Sequence, residues 1–439
     1  MNGFSSRIVK TFKPPLKTLS RFFKWTALAT VVGVITGLIG VAFYYTLSFV
    51  TELRMQNPRL ILFLPLAGLA IVGLYHVTGM RNDRGMTTVM RSVRLGRPVR
   101  LVTVPLIFVS TVLTHLFGGS AGREGAALQL GAGIGAKLGT LLRLSSNELR
   151  IMLLCAMTGT FTALFGTPLT AVFFSVEFVS VGVIYYSGIY SCVVSAIASL
   201  SISHLLGVRH ASYLLPDLPA ITLPELLGVL GFSIPIAVLG IVFCVALHGG
   251  EQLSRILLPY RYVRIFLLGS LIVWMTTCFG TAYNGASEEL LHAALGGSAE
   301  PFDFILKLLF TIVTISAGYR GGEIVPTFCV GACFGALVAP LFGLSPIFAA
   351  ALGLVGLFSS VTNAPIASIL LAYELFGGQR MICFALVAIV GFLFSGNYSL
   401  YKGQTFVFSK KLSDFDHGGA DALFEREDAA ETAGEESKS

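Results

Sequence analysis

Residues 118–126 read GGSAGREGA, and 200 positions later residues 318–326 read GYRGGEIVP. Each stretch places charged residues among glycines, and each runs directly into an apolar segment. Glycine leaves the backbone free of a Cβ, so such a stretch reads as a break that feeds the N-terminus of a helix. Whether an acid in that position is ordinary or costly depends on the solvent in which the chain folds.

Composition answers that question. Of 439 residues, 54% are hydrophobic and only 12% are charged, and the mean hydropathy is +0.80. Soluble domains carry roughly twice that charged fraction, so the chain reads as an all-α integral membrane protein. Apolar runs recur throughout: 25–50, 60–78, 101–117, 148–165, 187–206, 223–247, 265–279, 302–317, 324–341, 346–357, 365–376 and 381–396. Some approach the ~20 residues that span a bilayer, and others are too short to cross alone. Short segments point to broken helices, which a membrane tolerates only where their ends are buried in protein or line a cavity.

The net charge of +7 is concentrated beside spans. Residues 1–26 hold Arg7, Lys10, Lys13, Lys17, Arg21 and Lys24 without an acid, and the 81–100 loop holds six arginines against Asp83. That distribution predicts cytoplasmic segments flanking spans rather than a nucleic-acid surface. The first apolar run lacks a small-residue cleavage site, so no signal peptide is expected. The seven cysteines lie in or beside apolar runs without a CxxC pair and read as small buried hydrophobes. Residues 412–439 hold nine acids against Arg426 and Lys438, the composition of a solvated, disordered tail. The expected organisation is a basic cytoplasmic segment (1–20), a transmembrane domain (21–405) and an acidic tail (406–439).

The two glycine-rich breaks belong to a larger repeat. Gly131-Ala132-x-x-Gly135-Ala136 matches Gly331-Ala332-x-x-Gly335-Ala336, which aligns Gly122 with Gly322, Glu124 with Ile324 and Ala126 with Pro326. Pro168 precedes Glu177 by the same nine residues that separate Pro365 from Glu374. Halves at about 21–206 and 223–405 predict an inverted repeat with a site between discontinuous helices. A helix N-terminus offers free N–H groups and the positive end of its dipole. Two such ends meeting in the membrane would bind an anion without a fixed full charge, and so release it readily. Glu124 is then a carboxylate placed where amides favour anions. Ionised, it competes with the permeating ion; protonated, it yields the site. One side chain would couple anion and proton movement.

GSAGREGAALQLGAGIG, GGEIVPTFCVGACFG and the two Pro/Glu segments resemble the CLC family of chloride channels and anion/proton exchangers. The resemblance covers roughly 20–405. It implies the CLC-type fold, a homodimer with one pathway per subunit, and Glu124 as the gating and proton-coupling acid, with Ala126 where the family motif has proline. It also implies anion contacts from Gly122, Arg123 and Gly125 and from the backbone at Ile324 and Val325. Chloride-selective members carry GSGIP, but residues 82–88 read NDRGMTT. Met86, after Gly85, stands where that serine would be, and this is similar to the bacterial fluoride/proton exchanger branch, as is the GGE segment with Glu323 as a candidate proton relay. The internal carboxylate of some chloride exchangers has no counterpart in 189–206. Val89 stands where fluoride-branch sites often have an aromatic residue shortly after the methionine, and Val325 where some relatives have a hydroxyl. Tyr401 is preferred over Tyr398 as the pathway tyrosine. The resemblance thus implies a fluoride/proton antiporter of the bacterial inner membrane, with chloride/proton exchange or passive chloride conduction as the alternative. Anion, proton, lipid and a second subunit are the implied partners; no cofactor, metal or nucleic acid is expected. A membrane enzyme finds no HExxH and no serine–histidine constellation. Glu177 and Glu374 are expected to satisfy backbone amides or positive side chains, Asn363 to cap a helix, and His115 and His248 to sit at the interface.

Overall fold

The computed structural model describes the backbone of residues 2–213, 215, 221–407 and 410, and side chains from residue 18 onward. Residues 408, 409 and 411–439 of the acidic tail lie outside the described residues, as do the side chains of most of the basic segment. The first half runs α1 (Asn2–Gln56), α2 (Leu64–Val77), α3 (Met86–Leu95), α4 (Thr103–Leu116), α5 (Glu124–Leu141), α6 (Ser146–Phe165), α7 (Pro168–Glu177) and α8 (Tyr186–Leu205). The second half runs α9 (Leu223–Leu257), α10 (Arg261–Phe279), α11 (Glu288–Leu295), α12 (Asp303–Ala317), α13 (Ile324–Val338), α14 (Pro346–Thr362), α15 (Pro365–Phe376) and α16 (Met381–Phe394). Two-residue strands β1 (Ser180–Val181) and β2 (Thr405–Phe406) pair in parallel. Seven helices among the described residues are long and apolar enough to cross a membrane.

Boundaries depart from the apolar runs where polar residues continue a helix. α1 passes unbroken through the expected division at residue 20. α9 extends ten residues past its apolar run to Leu257, and Glu251 and Arg255 form an ion pair one turn apart on that extension. Such a pair supports a helix that has left the apolar phase.

Glycine and proline set the breaks. α4 and α12 both end at a left-handed glycine, Gly118 (φ +83°) and Gly318 (φ +107°). α6 ends at Gly166 and α14 at Asn363, both left-handed, and Pro168 and Pro365 then start α7 and α15, where a missing N–H costs nothing. Asn363 therefore caps a C-terminus, and its side-chain amide donates to the Tyr398 carbonyl at 3.0 Å.

The halves dock through equivalent residues. Gly122 N–H donates to Gly322 O at 2.6 Å and Gly322 N–H returns to Gly122 O at 2.7 Å, an isolated antiparallel bridge. Ser120 N–H donates to Thr314 Oγ1 at 3.0 Å, and Arg320 N–H to Thr114 Oγ1 at 3.3 Å. The Glu177 carboxylate accepts from Ile366 and Ala367 N–H at the start of α15. Glu374 accepts from Leu169 and Thr170 N–H at the start of α7. Each half thus caps the other, as a two-fold relation between inverted repeats requires, and the two glutamates hold the structural task the sequence suggested. A carboxylate on a helix N-terminus satisfies N–H groups that lipid cannot.

Candidate anion and proton site

The site forms where α5 and α13 begin. The Gly122–Gly322 bridge spends both glycine amides, so the Gly122 N–H is not free for an ion, contrary to the resemblance. What remains at the two helix ends is the backbone that follows. Glu124, the first residue of α5, is fully buried. Neither carboxylate oxygen completes a hydrogen bond, and the backbone groups that act on it are those of Glu124 itself, Arg123 and Val325. Its Oε2 lies 2.4 Å from where a Cβ would stand on Gly322, with Glu124 N and Gly125 N 2.8 Å from that point. Only glycine at 322 lets the carboxyl group approach the opposing break.

Arg123 does not pair with its neighbour. Its guanidinium lies between the rings of Tyr44 and Phe165, 5.5 Å from each centroid, and 3.6 Å from Glu288. The charge of its guanidinium and its backbone both act on the Glu124 carboxylate. Ile324 and Val325 are buried in the first turn of α13. Glu323 takes the N-cap position of α13, yet its side chain makes no capping bond and forms no ion pair with Arg320 among the described residues. Pairing with Arg320 and capping α13 are the other readings the sequence allows for Glu323; neither bond forms among the described residues, and Oε2 lies 3.7 Å from the Cβ position of Gly125.

Gly85 (φ +57°) caps α3, and Met86 opens the helix, buried in the same apolar cluster as Ile324, Val325 and Tyr401. The 401–404 segment closes over this end: Gly403 packs on Thr87, and its carbonyl accepts from Arg94. Tyr401 is buried with its hydroxyl unpartnered, edge-on to Phe178 at 5.8 Å. Tyr398 is 47% exposed. Burial and an unused hydroxyl distinguish Tyr401 from Tyr398.

Several neighbours escaped the sequence reading. His115 is buried, not interfacial: its Nε2 is 3.2 Å from the Gly122 carbonyl, inside the break. His248 is half-buried, with Nε2 2.8 Å from the Ser399 carbonyl. Lys307, fully buried on α12, donates to Ser120 Oγ at 2.9 Å and to the carbonyls of Gly285 (2.8 Å) and Tyr283 (3.3 Å). A lone lysine amid apolar α12 was the available signal, since a charge in a span is rarely idle. Gln129, five residues into α5, is buried; Nε2 donates to Gly125 O at 3.1 Å and Oε1 has no partner. Nothing in its local sequence marks it.

This arrangement of crossed helix ends now has known counterparts. The family model described as voltage gated chloride channel matches residues 68–396. The chain belongs to that family. A "Chloride/fluoride channel protein" of Pseudomonas syringae pv. tomato is 31% identical, over 96% of this chain and 97% of its own length. A crystal structure of a CLC-type fluoride/proton antiporter superposes with a TM-score of 0.84 at 32% identity, covering 88% of this chain and 98% of that one. A slow cyanobacterial Cl-/H+ antiporter shares the fold, with a TM-score of 0.71 at 20% identity over 84% and 94% of the two chains. The protein is therefore a multi-pass CLC-family anion transporter.

Proposed function

We propose that this CLC protein exports fluoride from bacteria across the inner membrane in exchange for protons, as a homodimer with one pathway per subunit. The observation that carries the reading is the Glu124 carboxyl group, fully buried at the junction of two helix ends with neither oxygen hydrogen-bonded. An ionised carboxylate there occupies ground that a halide would use. A protonated one loses its attraction to the amides and the dipoles, and leaves. The anion and the proton thus reach the site in alternation, and their movements are opposed. Glu323 stands 3.7 Å from the Gly125 Cβ position, at the same junction, and is the acid we assign to pass the proton onward. Ile324 and Val325 offer backbone amides, and Tyr401 offers its free hydroxyl, to the anion.

The choice of fluoride rests on Met86 in place of a serine hydroxyl, on the GGE segment, and on the two relatives above 30% identity. Fluoride is small, strongly hydrated and basic, so a site for it differs from one that holds chloride through a hydroxyl. The deciding experiment uses purified protein in proteoliposomes with fluoride or chloride inside, recording anion efflux and external pH together. Fluoride efflux accompanied by proton uptake supports the reading. Chloride efflux with proton uptake assigns chloride exchange, and anion efflux with no proton movement assigns a passive channel.

A further inference from the structure

Arg320 stands in the second break, at the position equivalent to Ser120 in the first. The two residues share their backbone anchoring through Thr114 and Thr314, but their side chains meet different fates. Ser120 is satisfied by Lys307, whose ammonium also has two carbonyls. The Arg320 guanidinium makes no hydrogen bond and no ion pair among the described residues. It lies 4.3 Å over the Tyr75 ring, which fixes its plane while satisfying none of its N–H groups. A cation left without a counter-ion in a membrane interior is expensive.

What faces the guanidinium is a small cradle. A Cβ built on Gly85 would find Arg320 Nη1 at 3.6 Å and Gln129 Oε1 and Nε2 at 3.6 and 3.7 Å. The cradle is open because residue 85 is glycine, and φ +57° keeps it so. Three polar groups converge there: the guanidinium, the buried and half-used carboxamide of Gln129, and the N-terminus of α3. Gln129 is 4% exposed, and its Oε1 has no partner. It gives one Nε2 hydrogen to Gly125, so it keeps a second for an anion and an acceptor for a water travelling with it.

We propose that Arg320 and Gln129 bind the transported anion at the Gly85 cradle and set its affinity. This deepens the fluoride reading and rests on it for the identity of the ion. Fluoride accepts stronger hydrogen bonds than the other halides and gives up the most hydration, so charged N–H donors compensate it best. The fixed charge is tolerable in a transporter because Glu323, three residues on, is available as an opposing acid that weakens the hold when ionised.

The test titrates sodium fluoride, and separately sodium chloride, into the purified full-length protein by calorimetry, comparing wild type with Arg320→Lys, Arg320→Gln and Gln129→Leu. Each variant is first required to elute as wild type does on size exclusion; Arg320→Lys, which keeps the charge, serves if Arg320→Gln fails to fold. The expected result is a fluoride Kd raised roughly tenfold or more in Arg320→Gln, consistent with loss of a charge-assisted donor. Arg320→Lys is expected to recover part of it, and Gln129→Leu to raise Kd several-fold. A fluoride Kd equal to wild type in both Arg320→Gln and Gln129→Leu, or in Arg320→Lys and Gln129→Leu where Arg320→Gln does not fold, overturns the proposal. If wild type binds no fluoride, the fluoride reading fails by itself. The chloride series then decides the cradle, upholding it when the same variants weaken chloride and rejecting it when they do not.

Discussion

Replacing Glu124 with glutamine keeps the shape of the side chain and removes both its charge and its proton. The carboxyl group is fully buried against the amides of Arg123, Glu124 and Val325, so it and a halide compete for one place. At a separation of about 5 Å and an effective dielectric near 20, two like charges repel by about 3 kcal/mol. Removing that repulsion should tighten anion binding at the junction by about a hundredfold. It should also remove the group that exchanges the proton with the anion. The expected phenotype of Glu124→Gln is therefore an intact fold with anion-driven proton uptake abolished, and with anion efflux either proton-independent or stalled by tight binding. The assay is proteoliposome efflux with simultaneous pH recording, after size exclusion and circular dichroism establish that the variant folds as wild type does. Proton uptake at the wild-type rate in the variant would refute the reasoning, because Glu323 was assigned only to pass onward a proton that Glu124 delivers.

Other consequences are independent of that side chain. Met86→Ser places a hydroxyl at the first turn of α3 and should lower the preference for fluoride over chloride in paired flux assays; an unchanged ratio removes Met86 from the selectivity argument. Glu374→Ala strips the start of α7 of three bonds, from Leu169 N (2.8 Å), Thr170 N (2.9 Å) and Thr170 Oγ1 (2.6 Å). The cost is about 2 kcal/mol for the donors left unpaired, of which the Thr170 pair is the more buried. It should appear as an earlier thermal aggregation midpoint, with Glu374→Gln less affected, and equal midpoints would contradict the capping role. His210 docks against the C-terminal end of α6, with Nε2 3.1 Å from the Ala163 carbonyl. Burial holds its imidazole below the ordinary 6.5, helped by the charges of His204 and Arg123 and opposed by that carbonyl. The undocked segment therefore binds more protons than the docked one, so docking is fullest above pH 6.5 and weakens as pH falls toward the depressed value. Amide exchange across 207–213 should accelerate at pH 5.5 relative to 7.5 beyond the intrinsic rate change, and His210→Gln should abolish the difference.

Much of this architecture was legible without coordinates. Hydrophobicity and length locate membrane helices because the bilayer imposes both directly on the chain. Glycine and proline mark the breaks because backbone conformation is a local property, as Gly118, Gly318, Pro168 and Pro365 show. The repeat exposed Glu177 and Glu374 as a matched pair, and a membrane acid at the head of α5 singled out Glu124. Helix ends were less legible, since polar continuations such as Glu251–Arg255 carry no apolar signal.

What the sequence determined, then, was the membrane solvent, the duplicated order of helices and the acid at the junction, because each is written in neighbouring residues. Tertiary structure alone decided which groups are spent and which are free. Gly122 loses its amide to Gly322, Arg123 turns to Glu288, His115 enters the break, Lys307 fastens Ser120, and Arg320 meets Gly85 and Gln129. Those outcomes depend on how two halves, about 200 residues apart, settle against each other. Pairing of hydrogen bonds and charges over that distance leaves no periodicity in either half to be read.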